Sequence, residues 1–317
     1  MRNRTTRNPL VTFAAILLLA QLAHAKDPSD GGAAGSAEKP LNVPSGTSVK
    51  KDIEYVPRGG NSRMLDLYLP SSAQSVPLVV FIHAGGWHTL DKGKAAQHAL
   101  FLLNHGYAVA SINYRLSQEA IFPAQIEDCR AAIRFLRARA AMYRIQPEHI
   151  GIWGASAGGH LAALLGTSTA ADFSTSPPKV TPLGKADESV RVQCVIDWYG
   201  PSDFTRLMGS KAMKTDHAAI KLLGPCASEA ELMAKARWAS PITYVRGDNP
   251  PFLIEHGDAD PTVPVEQSRA LADALRQAGV EATLKEMPGS GHGGPAFSHE
   301  ENQKMVLAFL DRHLKTR

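Results

Sequence analysis

The chain opens on an abrupt change of polarity: Arg2, Arg4 and Arg7 precede an apolar run from Leu10 to Leu22, and Ala23-His24-Ala25 follows. That order predicts a secretory signal peptide over residues 1–25, cleaved at an Ala-x-Ala site, and so an extracellular or periplasmic protein. The apolar run is too short to span a bilayer comfortably and polar residues follow at once, which argues against a membrane anchor. Residues 26–48 are rich in Gly, Ala, Ser and Pro and read as a flexible linker. Beyond it, strand-like runs at Ile53–Val56, Met64–Leu69, Leu78–Ile82 and Ala108–Ile112 give way to alternating helical stretches and short apolar strands. The pattern predicts an α/β domain over residues 49–317, with an antiparallel edge and then a mostly parallel central sheet carrying helices on both faces. Two insertions interrupt it. Thr167–Ala186 is a Ser/Thr/Pro-rich loop, and Asp203–Arg246 carries short helical pieces with Met208, Met213, Leu222, Leu223, Trp238 and Tyr244, either a small cap or packing on the sheet.

Composition changes this picture little. The 317 residues are 44% hydrophobic and 20% charged, enough apolar content for a full core. Charge matters more, because cleavage after Ala25 removes three arginines and no acids, so the formal +4 becomes 4 − 3 = +1. Arg130 to Arg144, with Arg134, Arg137 and Arg139, lies on a helix-periodic segment whose Ile133, Phe135 and Leu136 face the sheet, which leaves the arginines as a solvated face. No basic stripe with interleaved aromatics is present, and nucleic-acid binding is accordingly not expected. Cys129, Cys194 and Cys226 permit one disulfide in an exported protein, Cys194 with Cys226 because Cys129 falls on a helix, or equally three free thiols. His83, His88, His98 and His105 are scattered without accompanying carboxylates, so neither metal nor cofactor is expected.

The candidate chemistry lies in three loops. Gly154-Ala155-Ser156-Ala157-Gly158 follows the apolar run His149–Trp153 and precedes the helix-like Gly159–Leu165. A strand that turns sharply into a helix would display Ser156 at the tip, and side chains at the flanking glycines would collide with neighbouring backbone. A serine hydroxyl is a weak nucleophile at neutral pH and needs a base, an acid to orient the base, and donors for the developing oxyanion. Phe252–Gly257 reads as a buried strand running into Asp258-Ala259-Asp260, and Ala282–Met287 as a strand running into the glycine-flanked His292. The order Ser, Asp, His is the one used on this strand-turn-helix scaffold. After the strand Leu78–Ile82, the backbone amides of Gly85 and Gly86, with that of Ala157, can form an oxyanion hole. His83 anchors that loop. Trp87 and Tyr199, on loops after strands, are candidate walls of the substrate pocket, whereas Trp153 belongs to the core beneath the turn.

His83-Ala84-Gly85-Gly86-Trp87, Gly154–Gly159, His256-Gly257-Asp258-Ala259-Asp260-Pro261-Thr262-Val263-Pro264 and Gly291-His292-Gly293 resemble the α/β-hydrolase esterases of the hormone-sensitive-lipase and bacterial feruloyl and acetyl esterase type. The resemblance extends to Asn113–Leu116, Phe122–Asp128 and Ser240–Val245, nearly the whole mature chain. It implies the α/β-hydrolase fold, a nucleophile at Ser156, an acid at Asp260 and a base at His292. Ala84 departs from it, standing where the family has the first glycine of the oxyanion loop. Asp258, two positions from Asp260, is the rival acid, and otherwise stabilises the turn.

The implied activity is a serine carboxylesterase acting through an acyl-enzyme, without cofactor, on a small-molecule or polysaccharide-linked ester such as an acetyl or feruloyl substituent of plant polysaccharide. No membrane association is expected after signal cleavage, and the pattern says nothing of oligomeric state. A serine peptidase or arylformamidase would share these loops. A non-catalytic binding protein of the same fold would ordinarily lack one of the three side chains.

Overall fold

The computed structural model describes residues 41–173, 190–208 and 217–315. The signal peptide expected over 1–25, most of the linker, and the stretches 174–189 and 209–216 of the two insertions, Met213 among them, lie outside the described residues. Leu41 and Val43 already pack against the core, and the amide of Asn42 donates to Gln97 Oε1 at 3.0 Å. Order therefore begins ahead of Val49.

Eight strands form one sheet: β1 (Ser48–Glu54), β2 (Met64–Leu69), β3 (Val76–Ile82), β4 (Ala108–Ile112), β5 (Ile145–Ala155), β6 (Cys194–Trp198), β7 (Phe252–Gly257) and β8 (Ala282–Met287). Their order is β1-β2-β4-β3-β5-β6-β7-β8. β2 runs antiparallel to both of its neighbours, and from β4 to β8 every pairing is parallel. This is the expected mostly parallel sheet with an antiparallel edge.

Parallel strands that are apolar at every position bury both faces. β3 shows the alternation: Leu78, Val80 and Ile82 enter one core, Val79 and Phe81 the other. The first core is covered by α1 (Ala124–Ala138), α2 (Ala157–Thr167), α3 (Glu229–Ala239) and α4 (Glu266–Gln277), and the second by α5 (Glu300–Leu314) with the turns between Ala96 and Leu103. The described part of the second insertion packs inward. Leu222 and Leu223 are buried, and the Trp238 indole stands edge-on to Phe122 at 5.3 Å between centroids. Among the described residues no helix is long and apolar enough to cross a membrane.

One expectation needs correction, and one alternative is decided. Arg130 does not belong to a solvated face: it is 3% exposed, donates from Nη2 to Ser168 Oγ at 2.8 Å and lies over the Phe173 ring. Burial lowers its pKa to about 10, and the nearby Asp172 carboxylate opposes that shift. Position 130 shares the helical stripe of Ile126 and Ile133, so spacing and not charge decides its side. The cysteines form no bridge. All three are free thiols, and Cys129 and Cys194 are buried with their pKa values pushed up by desolvation.

Candidate active site

The carboxyl ends of β3, β5, β6, β7 and β8 supply every predicted site residue. This is the edge where open α/β sheets place their ligands. β5 ends at Ala155, α2 starts at Ala157, and Ser156 between them is held at φ 54°, ψ −117°, where an L-residue is strained. Its amide donates to Trp198 O at 2.8 Å and its carbonyl accepts from His160 N at 2.9 Å, so both ends of the turn are tied. The glycines are demanded by space. A methyl at Gly154 would lie 2.0 Å from Gly158 O, and one at Gly158 would lie 2.1 Å from Ile82 O.

Ser156 Oγ lies 2.7 Å from His292 Nε2, and His292 Nδ1 lies 2.6 Å from Asp260 Oδ2. The Asp260 side chain is fully buried and that of His292 is 22% exposed. The Asp260 carboxylate is thus sealed while the His292 ring stays within reach of solvent. Burial opposes the Asp260 charge, but hydrogen bonds from His256, His292 and the Val263 amide outweigh it and hold the carboxyl below the usual range. An ionised acid facing Nδ1 fixes the tautomer that leaves Nε2 free to accept a proton from Ser156. The rival Asp258 sits elsewhere. It is exposed, and its Oδ1 accepts from the Gly289 amide at 2.7 Å, which staples the turn after β8.

The acid and histidine loops approach backbone to backbone, the Ala259 amide donating to Ser290 O at 3.0 Å. A methyl at Gly257 would meet Ser290 O at 2.2 Å. The glycine before the acid is therefore a contact requirement.

Gly85 and Gly86 stand at φ 103° and 55° after β3, and the amides of Thr89 and His88 fold back onto Gly85 O, both at 3.0 Å. Ala157 begins α2, where amides have no intrahelical acceptor. His83 is the loop anchor expected of it. Its ring is 1% exposed, stacks on Tyr114 at 4.2 Å and bonds Ala84 O at 2.7 Å through Nδ1, while burial lowers its pKa to about 4.

Trp87 does not line the pocket as expected. A left-handed φ of 61° turns its indole inward, where it is 4% exposed and donates from Nε1 to His160 Nδ1 at 3.1 Å. Tyr199, also left-handed at φ 44°, lies beside the base, its ring 4.7 Å from that of His292 between centroids. Trp153 is core, as expected, at 1% exposure and edge-on to Trp198.

The BD-FAE family model matches residues 65–275. The chain belongs to the BD-FAE family. Esterase LipQ of Mycobacterium tuberculosis is 34% identical over 247 residues, 76% of this chain and 56% of that protein. The chain spans about half the length of the curated relatives it matches. Among solved structures, a truncated carbohydrate esterase from gut microbiota is 32% identical with a TM-score of 0.75, over 85% of this chain and 97% of that one. A bifunctional GH43-CE protein of Bacteroides eggerthii is 35% identical with a TM-score of 0.74, over 84% and 35%. The BD-FAE match stops before His292, whose place between Ser156 and Asp260 is given by the structure.

Within this BD-FAE site, His160 is a residue that the sequence pattern does not flag. It is fully buried one turn into α2, accepts from Trp87 through Nδ1 and bonds Ala239 O at 2.7 Å through Nε2. It thereby joins the loop after β3, the helix that follows Ser156 and the end of α3. With a carbonyl at Nε2 and an N–H donor at Nδ1 the ring has to be neutral, and burial lowers its pKa to about 4. Below an unfolded value near 6.5 the unfolded chain binds a proton that the folded chain refuses, so this contribution to stability is lost as pH falls from about 6.5 to about 4. Asp197 and Glu255, both buried carboxyls raised to about 6 and about 7, act in the opposite direction. A comparison of variants isolates the histidine. His160→Gln, whose amide can serve both partners without titrating, should show a stability slope between pH 4 and 6.5 shallower by up to ~1.4 kcal/mol per pH unit than wild type. Urea denaturation across that range reads it, and equal slopes would show that the folded ring takes up its proton at the same pH as the unfolded chain.

Among the described residues, no group of three or more His, Cys, Asp or Glu side chains is placed to hold a metal ion.

Proposed function

We propose that the mature chain is an exported serine carboxylesterase working through an acyl-enzyme. The observation that carries the reading is the unbroken line Ser156 Oγ, His292 Nε2, His292 Nδ1, Asp260 Oδ2, with links of 2.7 and 2.6 Å. His292 removes the Ser156 proton as Oγ attacks the ester carbonyl, and the buried Asp260 carboxylate stabilises the imidazolium that forms. Oxyanion charge falls on the amides of Gly85, Gly86 and Ala157, worth roughly a hundredfold or more in turnover per donor. His292 returns the proton to the leaving alkoxide, and water then repeats the sequence on the acyl-enzyme.

The substrate is a short acyl or aromatic-acid ester, such as an acetyl or feruloyl substituent on plant polysaccharide. The family match supports this, as does the likeness to a protein titled a carbohydrate esterase. The basic, apolar and Ala-x-Ala order of residues 1–25 supports secretion or a periplasmic location. The test is steady-state hydrolysis of p-nitrophenyl esters from acetate to octanoate by the mature protein, followed by acetylated and feruloylated oligosaccharides. Turnover should fall as the acyl chain lengthens and vanish in Ser156→Ala. Activity on anilides exceeding that on esters would favour an amidase instead.

A further inference from the structure

Asp260 receives a second imidazole that the triad does not explain. His256, the penultimate residue of β7, is fully buried and both ring nitrogens are occupied. Nε2 lies 2.8 Å from Val263 O and 3.2 Å from Asp260 Oδ2. Both are acceptors, so Nε2 carries the proton. Nδ1 lies 2.6 Å from Ser268 Oγ at the start of α4, and the serine hydroxyl donates to it. Neighbours on two elements thus fix the tautomer and orientation of this ring.

The rest of the acid's anchorage shows what His256 adds. The amides of Thr262 and Val263 donate to Oδ1 at 2.7 and 3.0 Å. They grip one oxygen and leave the carboxylate able to pivot about it. Oδ2, the oxygen that faces His292, is held from its own side by His256 alone among the described residues.

The geometry points to His256 as a positioning residue for the reaction: its Nε2–H, aimed by Ser268, keeps Asp260 Oδ2 in line with His292 Nδ1 and withdraws part of the carboxylate charge. This rests on the serine-esterase reading above, since the aim of Oδ2 affects turnover only if Ser156 and His292 react. Two effects of removing the donor are separable. A carboxylate free to swing misplaces the base, and misplacement on the ångström scale costs up to ~100-fold in rate. A carboxylate stripped of one hydrogen bond also concentrates its charge and favours the His292 imidazolium more strongly. The acid limb of the pH–rate profile then moves to higher pH. The other ionisable groups facing His256 are Asp197 on β6, Tyr199 beyond it and Glu286 on β8, which is paired with Arg269 at 2.6 Å, and they are the same in every variant below.

The experiment compares His256→Phe, His256→Gln and Ser268→Ala with wild type on p-nitrophenyl acetate between pH 5 and 9. His256→Phe should lose ~10- to 100-fold in kcat with little change in KM, and its acid limb should rise by roughly half a unit or more. His256→Gln, whose amide can still donate to Oδ2, should recover most of both. Ser268→Ala, which leaves the core volume nearly intact if the phenylalanine variant does not fold, should show a smaller loss in the same direction. The imidazole N–H proton of His292, observed by NMR and assigned by its loss in His292→Ala, reads the same titration without substrate. A purely structural role would lower thermal stability and leave the limb and the NMR midpoint where they are, which would overturn the assignment. Absence of serine-dependent turnover in wild type would defeat the esterase reading instead, and the NMR titration would still decide His256.

Discussion

Ser156→Ala should lower kcat/KM for p-nitrophenyl acetate by roughly a million-fold, the scale seen when a triad nucleophile is removed. The loss should fall on kcat, because in the proposed mechanism Oγ is the attacking atom and the amides of Gly85, Gly86 and Ala157 are left in place. Folding should survive the change. Ser156 Oγ bonds His292 Nε2, the turn is tied through the Ser156 backbone amide and carbonyl, and alanine tolerates φ 54° about as well as serine does. Thermal melts within a few degrees of wild type would certify the comparison. A variant retaining a tenth or more of the activity would remove Ser156 from the mechanism, whatever the geometry, and leave another nucleophile to be found. The measurement also needs a limit on contamination, since one part in a hundred thousand of active enzyme would mask the expected residue of turnover. Inactivation of wild type by an organophosphate with stoichiometric label on Ser156 meets that limit independently.

The features legible in the sequence are those that backbone geometry writes locally. Gly154, Gly158 and Gly257 are fixed by collisions a methyl would make with the carbonyl oxygens of Gly158, Ile82 and Ser290, at 2.0 to 2.2 Å, so the glycines appear as short motifs. The buried parallel strands appear as apolar runs for an equally local reason. What could not be read lies between positions far apart in the chain. His160 acquires its meaning from Trp87 and Ala239, 73 and 79 residues away, and nothing in Gly159-His160-Leu161 announces either partner. Trp87, on a loop after a strand, reads as a pocket wall, yet its indole is 4% exposed and bonded to His160 Nδ1. Arg130 is instructive in a different way. Its spacing on α1 does put it on the buried stripe, but the preference of arginine for solvent is the stronger prior, and a hydrogen bond to Ser168 with a ring face from Phe173 is what reverses it.

The two aspartates of the acid loop offer the second large effect, because the sequence left them as rivals and the structure gives them different partners. Asp260→Asn should lower kcat by roughly 10⁴-fold at neutral pH. The cause is the proton inventory at His292 Nδ1. With a carboxylate opposite, Nδ1 must donate and Nε2 is left to take the Ser156 proton. A carboxamide can present its NH₂ to Nδ1 and stabilise the tautomer protonated on Nε2, which cannot act as base. It also forfeits the charge that stabilises the imidazolium, and it disturbs an acceptor now serving two imidazoles and two amides. Part of the loss should return at high pH, where hydroxide can substitute for the missing base. Asp258→Asn should stay within a few-fold of wild type, since its Oδ1 accepts from the Gly289 amide and an asparagine oxygen can do the same. Its cost should appear in stability, at about 0.5–1.5 kcal/mol if the hydrogen bond is weakened. The pair is decisive because the two residues are neighbours on one loop: general disruption would impair both variants alike. Loss confined to Asp260→Asn assigns the acid. The reverse result would mean that the loop shifts register in the working enzyme, carrying Asp258 to His292.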